Sequence, residues 1–298
     1  VMGLQLPGSS FVNPGTQLRE ALTQAASRHI TEVTDLTDDY RPLSQVVSEK
    51  TLVNAMVALL ATGGSTNHSI HLVAIGRAAG IRVDWEDFDA LSRVVPLLTR
   101  LYPNGESDIN DFDEAGGVPF LVRELLSAGL MHEDVNVMFG ESIHDYTRPA
   151  SLDGAGRLVW GQPREASHNP RCLRCAADPF LAGSGFHRLA GNLGRAIIKT
   201  SSVPEDRWCI KAPARVFADQ QALLDAWQAG SLTEDFVAVL PGQGPAANGM
   251  PELHKLMPVL ASLQNDGVRV ALLTDGRLSG ASGKIPSAIH VYPEAVRG

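Results

Sequence analysis

Long apolar runs are missing from this chain. No stretch of about eighteen apolar residues occurs, and no charged segment leads into a shorter apolar one, so neither a membrane span nor a targeting segment is expected. Cysteine is also scarce: three in 298 residues are too few for a disulfide framework, and the odd count suits a reducing compartment, which predicts a cytoplasmic location. Basic charge is in deficit, with 25 Lys and Arg against 33 Asp and Glu and a net charge of -8. That balance argues against binding to a nucleic-acid backbone, which is usually met by a basic face, so an anionic ligand must be held by local groups. A start at Val1-Met2-Gly3 and a stop at Arg297-Gly298, just after a strand-like segment, suggest a piece of something larger.

What is present reads as α/β. At 298 residues the chain can bury one large core or two medium ones. Apolar residues recur at helical spacing from Thr16 to Ile30 and from Thr51 to Leu60, and further helices are expected from Ser69 to Ala79, Asp87 to Leu98 and Gly117 to Ala128. Gly, Pro, Asp and Arg accumulate between Asp145 and Asp178, where only brief apolar runs such as Leu158-Val159-Trp160 survive. A first domain over residues 1–150, a linker over 151–177 and a second domain over 178–298 follow. Strands are predicted at Ala196-Ile197-Ile198, Ala214 to Phe217, Phe236 to Leu240, Val268 to Leu273 and Ala288 to Val291. Helices at Gln220 to Gln228 and Glu252 to Gln264 interrupt them, giving a mixed sheet or a small barrel.

Three segments carry chemistry. Thr274 to Lys284 follows an apolar strand with a loop rich in glycine, hydroxyls and cations, whose N–H groups and donors suit an anion; a plain strand-to-helix turn capped by serine explains the same pattern. In Gly242 to Glu252, Pro251 fits the first position of a helix and Glu252 its first turn, where a carboxylate complements the dipole; alternatively Glu252 is an oxygen ligand for a hard cation such as magnesium. Between two helices, Gly63-Gly64-Ser65-Thr66-Asn67 offers N–H groups to a carboxylate or phosphate, or simply caps the second helix. No Lys follows those glycines at the required place, so the segment does not match a P-loop. Cys172 and Cys175 form a C-x-x-C pair without a second pair, and His68 and His71 stand three apart without an apparent third ligand, so neither reads as a metal site.

Taken in order, Gly63-Gly64-Ser65-Thr66-Asn67 with His71-Leu72, Glu114-Ala115-Gly116-Gly117-Val118-Pro119, Gly249-Met250-Pro251-Glu252 and Thr274-Asp275-Gly276-Arg277-Leu278-Ser279-Gly280 resemble the dihydroxy-acid and sugar-acid dehydratases over essentially the whole chain. Leu101-Tyr102-Pro103-Asn104-Gly105, Gly191-Asn192-Leu193-Gly194-Arg195, Asn248 to Lys255 and Ser279 to Lys284 look like the branch acting on 6-phosphogluconate. Lys284 is the discriminating residue, because an ammonium group can serve a distal phosphate. Leu240-Pro241-Gly242 and Ala246 depart from that branch, standing where basic residues would be expected, which keeps an unphosphorylated aldonate open.

The resemblance implies a truncated α/β first domain and a barrel-like, swivelling β/β/α second domain, with substrate in a cleft between them and a homodimeric assembly. It implies a hydro-lyase in which Ser279 removes the C2 proton and Glu252 ligates magnesium. Ser65, Thr66, Asn67, Arg277, Ser282 and Lys284 would bind a phosphorylated sugar acid. It also implies an iron-sulfur cluster of the 4Fe-4S type whose ligands lie before Val1, so this stretch alone should be inactive. The alternatives are a dehydratase of another sugar acid or dihydroxy acid, and a non-catalytic sugar-acid-binding module.

Overall fold

The computed structural model describes residues 1–279 and 284–296, which form two compact units interleaved along the chain. One comprises Val1–Gly63, Leu72–Val83 and Val94–Gly183; the other comprises Gly64–His71, Asp84–Arg93 and the chain from Ser184 onward. Helices α1 (Gln17–Ile30), α2 (Leu43–Val46), α3 (Glu49–Ala61), α4 (Asn67–Ala78), α5 (Trp85–Ser92), α6 (Ile109–Ala115) and α7 (Gly117–Ser127) precede a hairpin of β1 (Ala150–Leu152) and β2 (Leu158–Trp160). Then come β3 (Phe186–Gly191), β4 (Gly194–Lys199), β5 (Ala214–Val216), α8 (Gln220–Gln228), β6 (Phe236–Leu240), α9 (Pro245–Asn248), α10 (Met257–Asn265), β7 (Val270–Thr274) and β8 (Ser287–Tyr292). The mixed α/β class is the one expected.

The first unit is organised by α3. Ser48 caps it reciprocally with Thr51, and the residues Leu52 and Ala55 to Ala61 are buried, so the helix is apolar around most of its circumference and sits inside the unit. Leu52, Met56 and Leu60 are each at most 2% exposed, and burying side chains of this size is worth about 1.5–3 kcal/mol apiece. A second cluster joins Leu22 of α1 and Val46 of α2 to Leu6, Val33, Met138 and Phe139.

One expected helix stops early. The apolar spacing of Val94, Val95, Leu97 and Leu98 extends the pattern of α5, but the helix ends at Ser92. Pro96 cannot donate to a helix and disfavours helical backbone before it. Leu97 and Thr99 instead form antiparallel bridges with Leu181 and Leu173.

The second unit is built on a six-stranded sheet ordered β3-β4-β8-β7-β6-β5. β3, β4 and β8 run antiparallel in sequence, whereas β8, β7, β6 and β5 are mutually parallel. Val270, Ala271, Leu272 and Thr274 of β7 are all buried, as befits a central strand covered on both faces. Among the described residues the sheet is open, with β3 and β5 at its edges.

In such sheets ligands bind beyond the carboxyl ends of parallel strands, where loops fan out. Here those loops follow β6 and β7, and they contain Glu252 and Ser279.

Candidate active site

The loop after β7 is locked by Asp275, which is 5% exposed. Its Oδ2 accepts the N–H groups of Gly242 at 3.1 Å and Ala295 at 2.9 Å, and Oδ1 accepts that of Gln243 at 2.8 Å. One carboxylate thus ties together the chain leaving β6, β7 and β8. Gly276 follows, and a Cβ there would stand 2.7 Å from Cβ of Gln243 and 3.0 Å from Cδ1 of Leu253, so only glycine permits the two loops to lie this close.

Glu252 corrects an expectation. The helix predicted from Glu252 begins instead at Met257, after a 3-10 turn over His254–Leu256, and Pro258 rather than Pro251 occupies its first turn. Glu252 is extended and forms a parallel bridge with Arg277, so its carboxylate does not serve a helix dipole. Its Oε1 accepts the N–H of Ser279 at 2.9 Å, and its Oε2 accepts Nδ2 of Asn67 at 2.7 Å.

The Gly63 to Asn67 segment reaches the same place from much earlier in the sequence. Ser65 Oγ accepts the Asn67 N–H at 3.2 Å, the capping role that was one of its two readings. Thr66 is buried and donates its hydroxyl to the Leu278 carbonyl at 2.6 Å. Asn67 opens α4, and its Oδ1 is buried without a hydrogen-bond partner. Arg277 Nε donates to the Met250 carbonyl at 2.9 Å, which stretches its guanidinium across the loop after β6.

Thr66, Asn67, Glu252, Arg277 and Ser279 therefore meet within the second unit, and Ser65 holds the start of α4 beside them. Lys284 is exposed just before β8, with its carbonyl bonded to Gln264 of α10 at 3.2 Å. Ser282 lies outside the described residues.

Two residues escaped the sequence reading. Lys199, at the end of β4, donates to the Gly64 carbonyl at 3.3 Å; it keeps partial solvent contact, yet the protein packed around it pushes its ammonium down to a pKa of about 8. His290 of β8 is 4% exposed, stacks on Trp85 with ring centroids 5.5 Å apart, and has neither ring nitrogen hydrogen-bonded. Burial, with the Arg277 charge nearby, lowers its pKa to about 3, so it is a neutral imidazole. Its left-handed backbone, φ 53°, is unusual for a residue with a Cβ. A lone cation at a strand end and a lone histidine within a strand carry no spacing signal; only Asp275, a turn-forming Asp before Gly, was recognisable as a loop organiser.

Elsewhere, His68 and His71 are exposed on the first turns of α4, and partial desolvation together with His71 holds His68 below the ordinary imidazole range. Cys172 is buried, Cys175 half-buried and Cys209 exposed, all as free thiols, and burial raises the Cys172 pKa. Among the described residues no group of three or more His, Cys, Asp and Glu is arranged to hold a metal ion. No helix there is long and apolar enough to cross a membrane. In the first unit a cleft of about 670 Å³, lined by residues including His29, Phe139 and Trp160, contains none of the residues assembled around Glu252.

Glu252, Arg277 and Ser279 thus stand on the loops that leave the parallel strands β6 and β7, with Lys199 at the end of β4 bonded to the Gly64 carbonyl. The chain belongs to the dihydroxy-acid/6-phosphogluconate dehydratase family: the model of its N-terminal domain matches residues 1–146 and that of its C-terminal domain matches residues 171–298. It is 53% identical over 298 residues to the phosphogluconate dehydratase of Pseudomonas aeruginosa, and 55% identical over 297 residues to that of Escherichia coli, covering 100% of this chain and 49% of each relative. Identity to the dihydroxy-acid dehydratase of Dinoroseobacter shibae is 34% over 301 residues, with 100% of this chain and 49% of that relative covered. The chain thus spans about half the length of the curated relatives it matches.

Proposed function

We propose that the full-length protein dehydrates 6-phosphogluconate to 2-dehydro-3-deoxy-6-phosphogluconate, as a step of the Entner-Doudoroff pathway. The observation that carries this reading is the convergence on one carboxylate: Glu252 accepts both the Ser279 N–H and the Asn67 amide. These are the residues that the family resemblance assigns to base, metal ligand and substrate contact. Identities of 53% and 55% to phosphogluconate dehydratases, against 34% to a dihydroxy-acid dehydratase, favour the phosphorylated sugar acid.

In this reading Ser279 Oγ takes the C2 proton. The C–H electron pair becomes the C2=C3 double bond, the C3 hydroxyl departs as hydroxide, the proton taken from C2 balances it so that the net loss is one water, and the enol tautomerises to the 2-keto acid. A serine hydroxyl is too weak a base unless positive charge favours its alkoxide, and Arg277, two residues away, is one source of it. Thr66 and Asn67 hold the substrate-facing loop against Leu278 and Glu252, while Lys284 meets the distal phosphate.

The same reading gives Glu252, a carboxylate with oxygen donors, to a divalent cation. Glu252 accepts from Asn67 Nδ2, the other atom of that amide, Oδ1, is buried without a partner, and oxygen ligands are what magnesium takes. Bound there, it would supply a Lewis acid for the charge developing next to the substrate carboxylate. The described residues do not fit an iron-sulfur cluster: Cys172 is buried with its thiol pushed up, and Cys209 is exposed in the other unit. The reading places the ligands of such a cluster outside this stretch.

The same reading divides the chain into an α/β domain over 1–150, a linker over 151–177 and a swivelling, barrel-like domain over 178–298, in a cytoplasmic homodimer that binds neither nucleic acid nor membrane. The test is S279A in the full-length protein, assayed anaerobically for 2-keto acid from 6-phosphogluconate, gluconate and dihydroxyisovalerate. Wild type should favour 6-phosphogluconate and S279A should fold but lose turnover; near-normal activity in S279A sinks the assignment.

A further inference from the structure

The chain carries a net charge of -8, yet two cations, Arg277 and Lys199, stand beside the loops that also carry the carboxylates of Glu252 and Asp275. Lys199 is the less expected of the two. β4 is an inner strand of the sheet, Ala196, Ile197 and Ile198 are buried, and the next residue, Thr200, is 7% exposed. An ammonium group in such a strand is costly to desolvate.

Its position accounts for the cost. Lys199 Nζ lies 3.3 Å from the carbonyl of Gly64, two residues before Thr66 and three before Asn67, the residues bonded to Leu278 and Glu252. It also retains partial solvent contact, as do Gly64, Ser65, Asn67, Glu252, Arg277 and Ser279. A cation enclosed by protein and bonded to the segment that carries Thr66 and Asn67 is placed beside the residues gathered at Glu252.

We propose that the Lys199 ammonium is a substrate-binding group of this site and receives an anionic oxygen, carboxylate or phosphate, of the sugar acid. The proposal rests on the dehydratase reading for the identity of the ligand. Arg277 donates through Nε to the Met250 carbonyl, and Lys199, which donates to the Gly64 carbonyl, adds a second, compact point charge for a ligand with two anionic ends.

The test uses the full-length protein with K199M, and with K199Q, which keeps a donor toward Gly64 without the charge and decides the question if K199M does not fold. KM for 6-phosphogluconate should rise at least tenfold with kcat changed less than threefold, and K199R should recover part of the loss. An effect on 6-phosphogluconate but not on gluconate assigns Lys199 to the phosphate; an equal effect on both assigns it to the carboxylate. Calorimetric binding of 6-phosphogluconate to S279A and to S279A/K199Q separates this proposal from the dehydratase reading. Binding weakened by K199Q in a protein that turns over no sugar acid removes that reading and keeps Lys199. An active wild type whose KM stays within twofold in K199M or K199Q, or whose kcat alone falls, overturns the proposal.

Discussion

Replacing Asp275 by asparagine exchanges one oxygen for an NH2 group in a place where all three neighbours are donors. The amide oxygen is best placed at the Oδ2 position, where it keeps Gly242 and Ala295; the NH2 group then faces the Gln243 N–H, donor against donor. Hydrogen bonds to a charged group contribute about 1.5–3 kcal/mol and neutral ones about 0.5–1.5 kcal/mol. One bond lost at about 2 kcal/mol, and two weakened by about 0.5 kcal/mol each, give a local destabilisation of about 3 kcal/mol. Because every 1.4 kcal/mol is tenfold, amide hydrogen exchange at Gly242, Gln243 and Ala295 should quicken by roughly 100-fold. Gln243 should change most. The affected loops carry Glu252 and Ser279, so kcat/KM should fall more than tenfold in the full-length protein. Unchanged protection at all three amides, with normal turnover, would refute the view that this carboxylate sets the geometry of the site.

Glu252→Gln should leave the fold intact, because Asn67 can turn its amide to accept from the new Nε2 while Ser279 N–H still finds an oxygen. Turnover should nevertheless drop by at least about 100-fold with weakened magnesium dependence, measured by 2-keto acid formation across a metal titration. His290 predicts an acid limit. Its folded pKa of about 3 lies below the unfolded value of about 6.5, so the unfolded chain binds the extra proton between these values. Stability is therefore fully present above about pH 6.5 and is lost as pH falls toward 3, amounting to about 2 kcal/mol by pH 5. Denaturant unfolding at pH 7.5 and pH 5 should show that loss in wild type and a smaller one in H290Q; equal losses would remove His290 as its source.

Local patterns foretold most of the architecture, and tertiary geometry supplied the rest. α1, α3 and α8 carry enough turns of apolar spacing, with caps at Thr16, Ser48 and Asp219, to announce themselves, and α7 does so by its spacing between glycines. β3 was missed because Phe186-His187-Arg188-Leu189-Ala190-Gly191 lacks the β-branched residues that mark a strand; it is held by its hairpin partner β4. α6 was missed because Ile-Asn-Asp-Phe-Asp-Glu-Ala reads as turn chemistry, although Asp108 and Asp111 form a capping box. At the site, Ser279, Glu252, Thr66 and Asn67 were recognisable through sequence motifs. Their meeting required the chain to fold, because Asn67 and Glu252 stand 185 positions apart. Lys199 and His290 become notable only through what surrounds them.

The orphaned oxygen of Asn67 permits a sharper test of the cation. Turning the amide over would set Oδ1 against the Glu252 carboxylate, acceptor facing acceptor, so without a cation the observed orientation, Nδ2 toward Oε2 at 2.7 Å, is forced and leaves Oδ1 buried and unbonded. That arrangement costs about 1–3 kcal/mol for the unmet carbonyl, close to what the bond to the carboxylate returns. Asn67→Ala removes both at once, so its metal-free stability should stay within about 1 kcal/mol of wild type. If Oδ1 exists to share a cation with Glu252, the same substitution should weaken magnesium binding about tenfold, in the range seen when a supporting metal contact is lost. Calorimetric titration of the full-length protein with magnesium, beside metal-free denaturant unfolding, separates the cases. Unchanged magnesium affinity with a large loss of stability would make Asn67 a purely structural tie to Glu252 and leave the carboxylate without a protein oxygen beside it for a metal.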